Sequence, residues 1–575
     1  MQGVLENTMF GKTGPLILIL LLAASLSCGE RSDPKTSPAP SGKIKLAVIV
    51  VFDQMRGDYL ARWEKLYGEG GFRRLMTKGA WFQNCHYPYA YTLTAPGHAS
   101  LVTGTSPYKH GIVGNEWYDR KSGEVISSVE SARHRPVPAP TNPRIIGTSP
   151  FRRRELSVGD VLLEATKGKS KIVSLSIKDR AAMLLAALRA LCYWFNTNTG
   201  TFDTSSYYED SLRPWVAELN REKMADQWFG KEWTRLRPEI DYAKFSSPAD
   251  NPFGGIGVLQ GQSFPHRLDG GADKITRAYY LAMINSPRGS DLLLALAKKA
   301  IDAENLGQNE VPDLLCLSFS SPDLVGHCWG PDSQEVLDIT LHSDRIVKEL
   351  LETLDAKVGK DNYLLVLSAD HGICPIPEAA QKQGKKAGRV SPQLLKTDAQ
   401  AFLNETFANG KKLPWIETVV GDNIYLNRGV LREQGLEFAT VEKALAGWLA
   451  KQPGIHGAYT RTQLSKGPIT DDAIAESVRL SFHPEASGDV LVVLQPYHLL
   501  SSPISSKLTA YRTTHGSPHS YDTHVPLLVY GPGVRAGVRE ERITPQAAAA
   551  ILSRGLGIDP PAGAEAPLPK GLFDD

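Results

Sequence analysis

Five continuous apolar runs constrain the fold of this chain more than any other feature. They cover residues 45–52, 171–177, 313–319, 363–368 and 525–530. Apolar runs of this length, without polar alternation, are typical of strands buried on both faces of a parallel sheet. Helical patterns between them, notably at 334–354 and 441–451, complete the alternation expected of an α/β protein. We therefore predict a mostly parallel central sheet with helices on both faces.

The remaining length of the chain predicts insertions into that fold. Its 575 residues are enough for a large core, and we assign residues 44–575 to one catalytic domain. The segment near 190–310 is rich in Trp, Tyr, Asn and Gly, and the segment near 377–496 mixes helical and short strand patterns. Both are predicted to lie outside the central sheet, the second as a cap or small subdomain.

The first 43 residues have the pattern of an export signal followed by a tether. Lys12 precedes an apolar run at 16–22, which is short for a membrane span, and Cys28 follows small residues. Residues 1–28 are therefore interpreted as a signal resembling that of bacterial lipoproteins, with Cys28 lipidated. The alternative is that Cys28 is removed with the signal. Residues 29–43 are a Ser- and Pro-rich tether, and we expect a periplasmic or outer-membrane-tethered protein.

Composition excludes some function classes. A net charge of +2, with 42% hydrophobic and 22% charged residues, is ordinary for a globular protein. This near-neutral net charge provides no electrostatic attraction for nucleic acid, so no nucleic-acid partner is expected.

We expect a monomer, although the sequence does not fix the oligomeric state. The five cysteines after residue 43 are an odd number without paired spacing, so no disulfide framework is predicted, although one or two bridges remain open.

Charged residues follow four of the predicted strands. Asp53 follows the first, Lys178 the second, Asp323 the third and Asp370 the fourth. In open α/β sheets, ligands bind at the carboxyl ends of the strands. A random scatter of such residues would not favour the same end of four strands, so we predict a functional site at this edge.

Two short motifs at this edge carry metal-ligand chemistry. Asp323 and His327 are four residues apart, so one helical turn can direct both at one ion. Asp370 and His371 are adjacent at a strand end. Carboxylate and imidazole ligands without thiolate suit Zn²⁺ or a similar divalent ion. Each pair alone is more often structural, but their joint occurrence favours a metal site.

Thr94 is the candidate nucleophile. It precedes an apolar helical stretch with Pro96 near its start, and a cation can lower the pKa of its hydroxyl enough for attack. A helix N-terminus would add positive potential for a phosphoryl group. Without the metal motifs, a plain helix cap would be the better interpretation.

Three further side chains could recognise that phosphoryl group. Lys178 and Arg180 follow a strand directly, and Asn115 can donate an amide hydrogen. Taken singly, the two cations are more often surface charges and the Asn is more often a turn residue.

Together these motifs resemble the alkaline phosphatase superfamily. The resemblance covers nearly the whole chain after the tether, and it is to the PafA-type, phosphate-irrepressible bacterial branch, which uses Thr where other alkaline phosphatases use Ser. The segments that carry it include Asp53, Thr94-Ala-Pro-Gly-His-Ala-Ser100, Gly114-Asn-Glu-Trp117, Lys178-Asp-Arg180, Ser321-Pro-Asp-Leu-Val-Gly-His327, Ser368-Ala-Asp-His-Gly372 and Thr514-His-Gly516.

The resemblance implies a site with two Zn²⁺ ions and a phosphate monoester as substrate. One zinc would be held by Asp323, His327 and His515. The second would be held by Asp53, Asp370 and His371, with Thr94 as nucleophilic ligand. Asn115, Lys178 and Arg180 would hold phosphate oxygens, and the ester would be hydrolysed through phospho-Thr94.

Several alternatives stay open at this point. His515 is favoured over His524 as the last metal ligand because it precedes Gly516. His519 is expected to support a ligand or to be exposed to solvent. His98 is expected to be structural. A phosphodiesterase or nucleotide pyrophosphatase of the same superfamily is the nearest rival activity. A lipid-tethered protein that binds phosphate without turnover is a more distant one. A sulfatase is disfavoured because Thr94 is not convertible to formylglycine.

Overall fold

The computed structural model describes residues 44–142, 144–500 and 511–574. The predicted signal, the tether and the lipidated Cys28 lie outside these residues. Within the described part of the chain, no helix combines the length and the apolar character that crossing a bilayer requires.

Two sheets of four or more strands organise the described residues. The strands are, in chain order, β1 (Leu46–Phe52), β2 (Ala80–Phe82), β3 (Pro136–Val137), β4 (Ile172–Ser176), β5 (Leu191–Asn196), β6 (Thr201–Ser205), β7 (Asp313–Phe319), β8 (Tyr363–Ser368), β9 (Ile416–Val420), β10 (Asn423–Leu426), β11 (Ile455–Thr460), β12 (Val490–Leu494), β13 (Leu527–Tyr530) and β14 (Gly537–Arg539). The large sheet has the order β14-β2-β13-β8-β1-β7-β4-β5-β6-β3, and the small sheet β9-β10-β12-β11.

Parallel strands form the centre of the large sheet. Strand β1 lies between β7 and β8, with Phe52 opposite Phe319 and Val51 opposite Ser368. Every residue of β1 is at most 1% exposed. Because successive side chains point to opposite faces, both faces of the sheet are covered. The predicted α/β fold with a mostly parallel centre is confirmed.

Towards its edges the large sheet becomes mixed. The run predicted at 525–530 forms β13, which pairs antiparallel with both β8 and β2. Burial alone cannot distinguish the two directions, since a strand covered on both faces is apolar either way. Strands β5, β6 and β3 also pair antiparallel at the opposite edge.

Helices connect and cover the strands. Those of seven or more residues are α1 (Phe72–Lys78), α2 (Thr94–Thr103), α3 (Val158–Ala165), α4 (Asp179–Leu185), α5 (Pro214–Arg221), α6 (Arg277–Ile284), α7 (Pro287–Ala303), α8 (Ser321–Trp329), α9 (Gln334–Lys357), α10 (Ala399–Phe407), α11 (Phe438–Leu449), α12 (Ala473–Ser481) and α13 (Ala547–Leu556). The predicted helices at 334–354 and 441–451 correspond to α9 and α11.

The two predicted insertions differ in how they join the core. Near 190–310, β5 and β6 extend the large sheet, and Trp215, Trp228 and Trp233 pack into its core. Near 377–496, the chain builds the small sheet around a separate apolar cluster that contains Trp415. The five cysteines after residue 43 are free and buried, so the bridges left open by the sequence do not form.

Candidate active site

The carboxyl ends of three central strands bring the acidic residues together. Asp53 follows β1, and Asp370 lies two residues beyond β8. Asp323 lies in the first turn of α8, which begins two residues after β7. Since β1 is hydrogen-bonded to both neighbours in register, the three carboxylates converge at one edge of the sheet. All three are buried, with exposures of 3% or less.

Thr94 is placed against this edge by α2. It is the first residue of that helix, after extended backbone at Leu93, and its side chain is buried. Gly97 allows the close approach, because a Cβ at that position would collide with the backbone oxygen of Asp370. The Thr94 Oγ1 atom thereby lies 3.5 Å from His371 Nε2. The helix N-terminus predicted at Thr94 is present, with the hydroxyl beside His371.

Six predicted ligands form two overlapping groups around His371. Its Nε2 lies 3.2 Å from Asp370 Oδ2 and 3.4 Å from Asp53 Oδ1. In the second group, Asp323 Oδ1 lies 3.1 Å from His327 Nε2 and 3.6 Å from His515 Nε2. One ligand atom each from Asp323, His371 and His515 lies within 4.8 Å of the others, as does one each from Asp53, Asp370 and His371.

The imidazole tautomers are set by backbone carbonyls. His327 Nδ1 donates to Thr513 O at 2.8 Å, and His515 Nδ1 donates to Thr92 O at 2.8 Å. His371 Nδ1 is similarly 3.0 Å from Gly372 O. A carbonyl only accepts, so Nδ1 of each ring carries a proton and Nε2 is the nitrogen that faces the carboxylates. This outer-shell arrangement is the one that orients histidine ligands toward a metal.

Two carboxylate oxygens without a hydrogen-bond partner show that these residues fit a bound cation. Asp53 Oδ1 and Asp370 Oδ2 are buried and accept no hydrogen bond from the described residues. Both surround His371 Nε2, where one proton could serve only one of the neighbouring oxygens. A divalent ion would satisfy several of these lone pairs together. The site therefore has the donor set and the unmet charge of a metal site.

Burial and the neighbouring charges shift the pKa values across the cluster in both directions. Burial, reinforced by Asp323 and Asp370, raises the pKa of Asp53 to about 7. Burial also opposes ionisation of Asp370, but His371 and His98 hold its pKa well below the usual range. For His371, burial is outweighed by Asp370, and its pKa rises to about 9. Burial next to His371 and His327 keeps the pKa of His515 well below the usual value, so this ring is neutral.

Lys178 bridges the two ligand groups. Its Nζ lies 2.7 Å from Asp53 Oδ2 and 2.5 Å from Asp323 Oδ2. Burial lowers the pKa of this ammonium, but Asp323 and Asp53 outweigh burial and raise it. The lysine is therefore charged and is directed into the site by the carboxylates.

Arg180 and Asn115 face the same cavity as Thr94 with free donors. The cavity, of about 320 Å³, is lined by both of them together with Lys178 and His327. The Arg180 Nε atom is buried, yet it has no hydrogen-bond partner among the described residues. Asn115 Oδ1 accepts from Ala95 N at 2.9 Å, which leaves its amide hydrogens available. A dianion entering the cavity would meet these donors.

Sequence reasoning missed Gln54. Its backbone N–H donates to Asp370 Oδ1 at 3.1 Å, and its side-chain amide donates to Asp323 Oδ1 at 2.6 Å. It holds both carboxylates from a left-handed backbone conformation, with φ at 71°. Gly326 leaves the room, since a Cβ there would collide with Gln54 Oε1. A buried Gln directly after the strand-end Asp53 was the available signal.

The other histidines separate clearly. His98, expected to be structural, pairs with Thr94 O through Nδ1 and with Ser318 Oγ through Nε2, both at 2.8 Å, and its Nδ1 lies 3.3 Å from Asp370 Oδ2. His519 Nε2 pairs with Leu494 O at 2.9 Å. His524 stacks on His86 and contacts Gln83 O, away from the carboxylates.

Comparison with known proteins places the chain in a family. The model of the type I phosphodiesterase / nucleotide pyrophosphatase family matches residues 47–517. The chain belongs to this family. The family lies within the alkaline phosphatase superfamily, so the resemblance derived from the motifs is confirmed.

Relatives match over nearly their full length. Alkaline phosphatase PhoV of Synechococcus elongatus is 33% identical over 555 residues, covering 95% of this chain and 96% of its own. Alkaline phosphatase PafA of Elizabethkingia meningoseptica is 33% identical over 545 residues, covering 95% and 97%. The crystal structure of wild-type PafA superposes with a TM-score of 0.84 at 32% identity, over 93% of this chain and 99% of that one. The expectation of an enzyme of this superfamily is confirmed, and the candidate ligand groups agree with a metal cofactor.

Proposed function

We propose that this chain is a phosphate monoester hydrolase that acts through a covalent phospho-Thr94 intermediate at a site for two Zn²⁺ ions. The observation that carries the proposal is the pair of cations beside the threonine. Lys178 and Arg180 line one cavity with Thr94 and Asn115, and no carboxylate of the described residues pairs with the Arg180 guanidinium. A monoester dianion presents three non-bridging oxygens to such donors, one more than a diester.

The proposed ligands divide the cluster as the family resemblance implies, with His327 rather than His371 beside Asp323 and His515. Asp323, His327 and His515 would hold one ion, and Asp53, Asp370 and His371 the other, with Thr94 as an additional ligand. The absence of thiolates and the mixture of carboxylate and imidazole donors favour zinc. When bound, such cations lower the pKa of a coordinated hydroxyl and stabilise the charge on a departing oxygen.

The chain's own residues would then position the reaction. Asn115, Lys178 and Arg180 hold the phosphoryl oxygens, and the N-terminus of α2 adds partial positive charge beside them. The Thr94 hydroxyl gives its proton to solvent, and its Oγ forms a bond to phosphorus while the opposite phosphorus–oxygen bond breaks and the leaving oxygen takes a solvent proton. Water then cleaves phospho-Thr94, releasing inorganic phosphate and restoring the hydroxyl.

Substrate turnover and metal content test the proposal together. The purified, metal-quantified protein should hydrolyse 4-nitrophenyl phosphate with a larger kcat/KM than bis(4-nitrophenyl) phosphate. The reverse order would favour the phosphodiesterase activity for which the family is named. Binding of phosphate without any release from either ester would favour the non-catalytic alternative.

Export and tethering to a membrane are a separate proposal. We infer export through residues 1–28 with a lipid on Cys28, on the sequence pattern alone. Mass spectrometry of the mature protein from a bacterial host tests it. A chain that starts beyond Cys28, or that carries no lipid there, would contradict tethering.

A further inference from the structure

A second cavity continues from the proposed phosphate site toward the small sheet. It has a volume of about 280 Å³ and shares Asn115, Leu93 and His515 with the cavity that contains Thr94. Its far wall is built by β10, β12 and the turn before β10. The ion proposed at His515 would stabilise the leaving oxygen of a phosphate ester bound at Thr94. The organic group of that ester would therefore lie near His515, and this cavity adjoins His515.

Aromatic and aliphatic side chains form most of the wall. Tyr91 and Tyr425 line the cavity with Trp117. The two tyrosine hydroxyls are already used, since Tyr91 donates to Val492 O at 3.0 Å and Tyr425 donates to Ala486 O at 2.8 Å. These rings therefore contribute apolar and π surface to a ligand rather than hydroxyl groups.

Two carboxyl groups with unsatisfied oxygens stand in this wall. Asp422 Oδ1 is shielded from solvent and has no hydrogen-bond partner among the described residues. None of the described residues forms an ion pair with the Asp422 carboxylate either. Asp522 is 1% exposed. Its Oδ2 accepts from Gly516 N and Ser517 N, but its Oδ1 has no partner among the described residues.

The two connected cavities differ in the charged side chains that line them. Of the described residues that line this second cavity, none is a Lys or an Arg, whereas the neighbouring cavity contains Lys178 and Arg180. Lys178 and Arg180 therefore stand beside Asp323 at the phosphate end, whereas the second cavity has carboxyl groups and no such cation among the described residues. A second anionic group on a substrate would be repelled there, and a positive group would be attracted by the carboxylates and the rings.

We propose that this carboxylate cavity binds the leaving group of the substrate and selects phosphate monoesters of amino alcohols, whose leaving group carries an ammonium. The proposal rests on the proposed monoesterase function and adds its substrate class. Asp422 is the specificity-determining residue, because its carboxylate has no hydrogen-bond or ion-pair partner among the described residues. Burial raises the pKa of Asp422 to about 7, as expected for a carboxyl whose charge is unmatched without a ligand.

An isosteric pair of esters tests the charge alone. Phosphocholine and 3,3-dimethylbutyl phosphate differ by the replacement of the quaternary nitrogen with carbon. The metal-loaded enzyme should show a kcat/KM for phosphocholine roughly tenfold higher, the size of one partly desolvated cation–π or charge contact. Equal values, or a preference for the neutral ester, would overturn the inference.

Variants locate the effect. Asp422→Asn keeps the shape of the side chain and should reduce the phosphocholine preference several-fold. Asp471→Asn removes the same charge at an exposed position outside the cavity, and it should keep the wild-type ratio. An Asp422→Asn protein with the full preference would contradict the assignment of this residue.

Inhibition gives a readout that needs no variant. Choline should inhibit hydrolysis of 4-nitrophenyl phosphate by the wild type at lower concentration than 3,3-dimethylbutan-1-ol, and equal inhibition would count against the inference. If the esters are hydrolysed without charge preference, the substrate class is wrong and the monoesterase proposal stands. If no monoester is hydrolysed by the metal-loaded protein, the proposed function itself fails.

Discussion

The carboxyl groups at the edge of the large sheet and the carboxyl group of Asp422 lie at connected cavities, and their surroundings are opposite. At the edge of the large sheet, Asp53, Asp323 and Asp370 are surrounded by imidazoles and by Lys178. On the small sheet, Asp422 has no such partner among the described residues. The first set is organised for reaction chemistry, with a place for cations. The second has a charge that only a ligand would match, which indicates selection rather than catalysis.

The largest expected effect tests the large-sheet set. Thr94→Ala should lower kcat for 4-nitrophenyl phosphate by about a thousandfold or more, because the nucleophile is removed, while metal content stays at the wild-type level. Thr103→Ala, at the other end of α2 and also buried, should keep most activity. Near-wild-type turnover by a metal-loaded Thr94→Ala enzyme would refute the nucleophile assignment.

Removing the Arg180 guanidinium should have the next largest effect. Arg180→Ala should lower kcat/KM for the monoester by about a hundredfold, the usual loss for a donor to a developing charge. The diester should lose less, since it offers fewer anionic oxygens. Arg189→Ala, an exposed residue shortly after α4, is the control for loss of positive charge. Equal losses on both esters would remove the argument for monoester specificity.

A smaller effect is expected from Gln54, which donates hydrogen bonds to Asp323 and Asp370. Gln54→Ala deletes the side-chain bond to Asp323 and should weaken metal affinity by about tenfold, as for other outer-shell partners. Competition with a chelator, followed by metal quantification, measures it. Gln262→Ala at an exposed position serves as the control. Unchanged affinity would show that Gln54 does not position the carboxylates.

The smallest effect concerns the small sheet and stability. A carboxyl with a raised pKa binds its proton more tightly when folded, so its contribution to stability is present at low pH and is lost as pH rises from about 4 to about 7. Asp422→Asn should therefore stabilise the protein at pH 8, by ~1–2 kcal/mol, but not at pH 4. Thermal denaturation of both proteins at both pH values measures the difference, and a constant difference would contradict it.

The fold and the site could be predicted from the sequence only in part. Strands β7 and β8 match their predicted bounds because a continuous apolar run between polar ends defines a buried strand. The strand-end acids converge because parallel neighbours end at one edge. The antiparallel direction of β13 and the left-handed backbone of Gln54 depend on tertiary contacts that no local pattern encodes. Asp422, in a predicted insertion, gave no signal because its role depends on a wall that folds against a distant site.

Trapping phosphate on the enzyme tests the central claim most directly. Metal-loaded wild type mixed with a monoester, quenched in acid within one turnover and digested for mass spectrometry, should carry one phosphoryl group on Thr94. The Thr94→Ala protein should carry none. Release of phosphate without any phospho-Thr94, or a phosphoryl group on a different residue, would contradict the account.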